Sequence, residues 1–206
     1  LARVGRQIAF SLDSTASRAE HSLTHDKPRF AFFQVFQPRG GGKRQAPTFD
    51  VIAPGVAKHE EEIVLAPGAE PAADPNLVLR VAVAAAEFGL PIAPGTLRNL
   101  KKCPIGDRNW TDESRELFIR LLASGPALLN VWEDIDFIDV PGKLIPEWLG
   151  VRNRPSASAA HRYTIDRHMV EVVTRLGRET PSGGRYDDRH YEALLLAGIL
   201  HDIGKR

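Results

Sequence analysis

Apolar residues recur every three or four positions along most of the chain, and where that rhythm fails, glycine and proline crowd in. Val4, Ile8 and Leu12 share one face of a helix predicted over residues 2–20. Residues 37–48 (QPRGGGKRQAPT) have no period and read as a surface loop. Residues 49–56 and 63–65 are short β-prone runs around the charged tip His59-Glu60-Glu61-Glu62, which predicts a small β-hairpin. A second loop rich in alanine, proline and glycine covers residues 66–73.

From there the pattern is helical. Asp74-Pro75 is a start signal, an acid at the cap followed by proline in the first turn. Leu77, Val81, Ala84 and Phe88 form the stripe that follows, and Gly89 with Pro91 ends it. Thr111-Asp112-Glu113 opens a second helix, with Leu117, Phe118, Leu121 and Leu122 inward, up to Gly125-Pro126. A third carries Leu128, Trp132 and Ile135 on one side, and its acids Asp134, Asp136 and Asp139 are expected on the exposed side. A short apolar piece (Leu144, Ile145, Trp148) precedes a polar link at residues 150–160, which marks the expected domain boundary.

Composition changes this picture little. Hydrophobic residues are 43% and charged residues 26% of the 206, with a net charge of +1, so bulk attraction to nucleic acid or an anionic membrane is not expected. The one cysteine, Cys103, has no internal disulfide partner, which suits a reducing cytoplasm, and no signal peptide is visible. The chain opens on Leu1 and stops just behind an apolar helix, so it is read as a fragment open at both ends.

The chemistry-bearing residues come late. Thr164 caps a helix carrying Ile165, Met169, Val172, Val173 and Leu176, and His168 falls on the same face. The next helix carries Leu194, Ala197 and Gly198, then His201 with Asp202 beside it, and Gly204 lets the chain turn away. Two histidines are thus expected to point into one helical core. Each alone reads as a core histidine satisfied by a carbonyl. Together with a carboxylate they also fit a shared divalent cation, which offsets the cost of burying them.

Residues 196–205 (LAGILHDIGK) resemble the signature of the His-Asp (HD) phosphohydrolase superfamily. Residues 144–148 (LIPEW), 151–155 (VRNRP) and 161–168 (HRYTIDRH) resemble the stretch preceding the HD domain in the bifunctional enzymes that uridylylate and deuridylylate the nitrogen regulator PII. Residues 4–15 (VGRQIAFSLDST) and 74–80 (DPNLVLR) are similar to the region between their nucleotidyltransferase and HD domains, whereas the glycine-rich insert at 38–45 has no counterpart.

The resemblance implies a mainly α fold: a helical interdomain region with a small β-hairpin, followed by the first helices of an HD-domain bundle. Residues 1–150 would hold the C-terminal part of the nucleotidyltransferase region and a helical linker, and 151–206 the start of the HD domain. It implies His168, His201 and Asp202 as ligands of a divalent metal, Mg or Mn, with a further aspartate beyond Arg206. Asp202 and Lys205 would be catalytic, acting on the phosphodiester of a uridylyl-tyrosine, with PII and uridylyl or UTP nucleotide as partners. From the residues themselves, Arg162 and Arg167, in a basic run with Arg152 and Arg154, either guide the anionic substrate or belong to a solvated linker. The piece alone is expected to be inactive. Two other readings remain: another HD nucleotide phosphohydrolase, or a non-catalytic helical module in which the histidines only pack.

Other motifs fail on spacing. Residues 39–43 (RGGGK) lack phosphate-loop spacing, with Arg44 where Ser or Thr should stand. His59-Glu60 begins a zinc-protease motif, but Ile63 replaces the second histidine.

Overall fold

The computed structural model of the chain describes residues 4, 5, 8, 9, 11, 12, 15, 16, 48–105, 110–156, 163–177 and 188–205. The chain divides into two compact units, Leu1–Thr48 and Phe49–Arg206. In the first, the described residues are helical, as the spacing of Val4, Ile8 and Leu12 predicts, and these three are exposed. Thr15 Oγ1 donates to the Ser11 carbonyl one turn back, at 2.7 Å. The insert at 38–45 lies outside the described residues.

The second unit opens with an antiparallel sheet of β1 (Asp50–Ala53), β2 (Val56–His59) and β3 (Glu62–Leu65), in that order. The single expected hairpin is two hairpins in succession, because Pro54-Gly55 turns the chain inside the first run. Gly55 has φ +76°, and a Cβ there would meet Leu77 Cδ1 at 2.8 Å, so both backbone and space require glycine. The second turn is at Glu60, in the left-handed region, and His59 pairs with Glu62 as the last rung of β2 and β3 rather than standing at a free tip. The far edge of β3 is bridged by the segment after the first helix, where Ile63 N donates to Pro91 O and Ala93 N to Ile63 O.

Helix α1 (Leu77–Phe88) packs on the sheet and on two later helices, so it buries nearly its whole circumference rather than one stripe: Leu77, Val78, Leu79 and every residue from Val81 to Ala86 are buried. Phe88, expected inward, is exposed, with Lys58 Nζ 4.9 Å from its ring centre. The start falls two residues later than Asp74: the helix is capped at Asn76, whose N–H donates to Asp74 Oδ1 at 3.0 Å. Gly89 ends it in the left-handed conformation, as expected. Arg80 then ties sheet, α1 and the next long helix together, donating to Pro54 O, Asp74 and Glu113.

Helix α2 (Pro94–Leu100) is short. Helix α3 (Asp112–Leu122) is capped by Thr111, whose side chain accepts from Ser114 N at 3.1 Å. Helix α4 (Ala127–Phe137) buries Leu128, Trp132 and Ile135 as predicted. Two of the acids, Asp136 and Asp134, depart from the expectation, while Asp139, just past the helix end, keeps about half its side chain exposed. Asp136 is buried, because Arg152 reaches back to it at 3.0 Å and also to Asp139. A buried guanidinium–carboxylate pair compensates what neither group could bear alone. Asp134 is half-buried, and burial, then the neighbouring Glu133, push its carboxyl up to about 7 against the lowering effect of the Ile92 N–H.

After α5 (Val140–Leu144) and α6 (Trp148–Val151), Trp148 is fully buried edge-on to Trp132, ring centres 5.2 Å apart. The link that follows is held at its described residues by Ile165 N to Arg154 O and Asn153 N to Asp166 Oδ2, both 2.9 Å. The last two helices are α7 (Ile165–Leu176) and α8 (Asp188–Leu200). Met169, Val170 and Val173 of α7 are buried against the rest of the unit, each contributing about 1.5–3 kcal/mol by area.

Candidate metal centre

Helices α7 and α8 pack against each other. Tyr191, near the start of α8, donates its hydroxyl to the Leu176 carbonyl at the end of α7 at 3.4 Å. The two helices therefore run antiparallel, and the chain leaving α8 returns to the first turn of α7. His201 and Asp202 arrive there beside His168.

One ligand-type atom from each of His168, His201 and Asp202 lies within 4.8 Å of the others. The two imidazoles meet edge to face with ring centres 5.2 Å apart. His201 Nδ1 is 2.8 Å from the Gly198 carbonyl, which can only accept, so Nδ1 carries a proton, and in the neutral ring Nε2 presents the lone pair. That Nε2 stands 3.6 Å from Asp202 Oδ2. Burial alone would raise the Asp202 carboxyl. The hydrogen bond from Lys205 Nζ, 2.8 Å from Oδ2, and the nearby charges of His201, Lys205 and His168 outweigh it and hold the carboxyl below its ordinary value.

With His201 neutral, its Nε2 lone pair and the Asp202 carboxylate, whose Oδ2 also meets Lys205 Nζ, converge on a point where both could serve one further cation. Donors bound to one ion at about 2.0–2.2 Å stand roughly 3–4 Å apart, which a small contraction of this trio reaches. Two imidazole nitrogens and a carboxylate, one side open, fit a divalent ion that keeps further positions for water or substrate.

The inward face of α8 differs from the expected one. Tyr191, Leu195, Gly198, Ile199 and then Asp202 are buried, whereas Ala197 and His201 are exposed and Leu194 is half-buried. Asp202 is thus the buried member, with His168 half-buried and His201 at the rim, rather than both histidines in the core. The face that packs on α7 runs through Leu195, Gly198, Ile199 and Asp202, which leaves His201 at its edge.

The predicted site residues fall into three groups. His168, His201, Asp202 and Lys205 come together. Arg167 adjoins His168 in sequence, but its guanidinium lies 2.6 Å from Glu133 and 3.2 Å from Glu171, tying α7 to α4. Arg162 lies outside the described residues. Arg152, in the same basic run, belongs to the Asp136 pair, while Arg154 is exposed. The sequence anticipates a carbonyl partner for each histidine but does not identify Gly198 as the one that meets His201. Its only signal there is that Gly198 precedes His201 by three residues, the reach of a side chain back to its own helix.

Cys103 is buried, and its thiol is pushed up to about 11 by burial and by Asp74, so it is no candidate nucleophile. A groove of about 780 Å³, with Trp110, Phe118, Leu196 and Ile203 among its walls, is not lined by His168, His201 or Asp202. Among the described residues, no helix is long and apolar enough to cross a membrane.

The chain is 36% identical over 202 residues to a bifunctional uridylyltransferase/uridylyl-removing enzyme of Streptomyces coelicolor, covering 97% of this chain and 23% of that protein. It is 40% identical over 152 residues to one from Mycobacterium tuberculosis, 73% of this chain and 18% of that protein. The chain belongs to the bifunctional uridylyltransferase/uridylyl-removing enzyme family. It spans about a quarter or less of the length of these relatives. A family member from Corynebacterium glutamicum is 34% identical over 132 residues, 64% of this chain and 18% of its own length. No family model matches the chain, and no solved structure matches it. The fold expected of such a bifunctional uridylyltransferase/uridylyl-removing chain, mainly helical with a small antiparallel sheet, is the fold found.

Proposed function

We propose that in the intact protein this chain supplies three ligands of a divalent-metal centre, Mg or Mn, that hydrolyses the uridylyl-tyrosine phosphodiester of the nitrogen regulator PII in the cytoplasm. The observation that carries the reading is the convergence of one donor atom each from His168, His201 and Asp202 within 4.8 Å, in a chain whose relatives are named for uridylyl removal. The bound ion supplies Lewis acidity and lowers the pKa of a ligated water.

The chain's own residues do the rest. Gly198 fixes the His201 tautomer so that Nε2 is free to ligate. Lys205 keeps Asp202 ionised, and its exposed ammonium is placed to meet phosphoryl oxygens as negative charge grows on them. Asp202 both ligates and orients the attacking water, and UMP and free tyrosine leave. Arg167 stays in its ion pairs with Glu133 and Glu171, which leaves Arg154 and Arg162 of the basic run to meet substrate.

The test is Asp202→Asn in the intact protein, followed by UMP released from uridylylated PII. Release should fall by at least about a thousandfold, as for loss of a metal ligand that also positions the nucleophile, with helical content retained. Undiminished release would remove Asp202 from the centre and end the reading.

A further inference from the structure

The distance between α7 and α8 is set at one place. Gly198 is buried on the face of α8 that meets α7, and a Cβ built on it would lie 2.8 Å from Leu176 Cδ1, 3.1 Å from Val173 Cγ2 and 3.8 Å from Val172 Cγ1. Both contacts under 3.4 Å are tighter than packed carbons tolerate. They differ in how far they can yield. Leu176 is half-buried and its methyl is the far end of a flexible side chain. Val173 is fully buried and β-branched, held to one rotamer in a helix, so it cannot step aside.

The contact is one turn from the chemistry on both helices. Val172 lies four residues after His168 on α7, and His201 lies three residues after Gly198 on α8, so each pair shares a helix face. A wedge between Val173 and position 198 would therefore open the gap between His168 and His201. The backbone of Gly198 also carries the carbonyl that receives His201 Nδ1, so any displacement of that turn moves the second imidazole as well.

We infer that Gly198 is a positioning residue for the metal centre: the missing side chain lets α8 lie close enough to Val173 for His168, His201 and Asp202 to share one ion. The inference rests on the metal-centre reading and adds to it the element that sets the spacing. It also separates two effects of the same substitution. Alanine is the better helix former, so Gly198→Ala favours α8 locally while spoiling the spacing of the donors.

The experiment is a Co(II) titration of the intact protein, read by the visible ligand-field spectrum, with circular dichroism as a check on folding. The variants are Gly198→Ala, Val173→Ile and the double variant Gly198→Ala/Val173→Ala. Each of the two single variants, which crowd the contact from opposite helices, should weaken cobalt binding roughly tenfold or more, in the range seen for residues that orient metal ligands. The double variant, with room restored, should return to within about twofold of the parent. Parent-like cobalt affinity and spectrum in both single variants would overturn the role of Gly198 while leaving the metal centre standing. Loss in the single variants without recovery in the double would also overturn it, since the defect would not then be one of space. If the unaltered protein binds no stoichiometric cobalt, the metal-centre reading itself fails and the positioning role falls with it.

Discussion

Arg152 lies 3.0 Å from the carboxylate of Asp136, with both side chains about nine-tenths buried, and so fastens the link ahead of α7 to the last turn of α4. Through that pair the helix bearing His168 is referred to the core of the unit rather than left on a polar tether. Replacing Arg152 by alanine leaves Asp136 charged and buried without compensation, which costs about 3–5 kcal/mol. Urea denaturation of Arg152→Ala against the parent measures it. A loss below about 1 kcal/mol would mean that the pair behaves like a surface contact.

Arg167 makes the contrasting case. It adjoins a metal-ligand candidate and suits an anionic substrate by type, but its side chain is about one-third exposed and already paired with Glu133 and Glu171. Arg167→Met should lower stability by less than about 1 kcal/mol and leave unchanged the intact protein's KM for the proposed substrate, uridylylated PII. A several-fold rise in KM at constant kcat would show that the arginine leaves its partners to meet substrate.

Asp134 has its proton bound more tightly in the folded chain, at about 7 against an ordinary value of 3.8, through burial first and Glu133 second. Between those values the folded state holds the proton and the unfolded state does not, so stability falls as pH rises through this window. Above it, the folded chain carries a half-buried carboxylate beside another. Asp134→Asn removes the effect. It should be neutral at pH 3.5 and stabilise the protein by on the order of 1 kcal/mol or more at pH 8. Equal stability differences at the two pH values would show that Asp134 titrates normally.

Gly177 ends α7 where a Cβ would stand 2.7 Å from Gly125 N and 3.0 Å from Ala123 O. Those atoms are main chain and cannot rotate away. Gly177→Ala should therefore destabilise by about 1–3 kcal/mol despite its better helix propensity, visible as a lower thermal midpoint. An unchanged or higher midpoint would show that the turn at Gly125 yields.

The convergence of His168, His201 and Asp202 was legible from their motif rather than from helical period, which put Leu194 and Ala197 on the inner face of α8. The sequence carried their helices because the apolar spacing of Met169 and Val173 is unambiguous. What it could not carry is which partner each face meets. The stripe of α8 is weakly amphipathic, since leucines lie all round it, so the buried face could not be told apart until Gly198 was seen against Val173. Asp136 was misplaced for a related reason: its partner, Arg152, is sixteen residues away, beyond any periodic signal. The double hairpin was missed because Pro54-Gly55 falls inside a run whose flanks both favour strand, and two-residue turns leave little room for a polar spacer.

His201 Nδ1 meets a main-chain oxygen, so in the proposed centre the nitrogen left to ligate is chosen by the backbone of the turn. Substitutions around the imidazole can alter its exposure or its company without changing which of its two faces is basic. In the proposed centre that choice is inherited with the helical turn itself, and a lineage would be free to vary the surroundings while the turn persists.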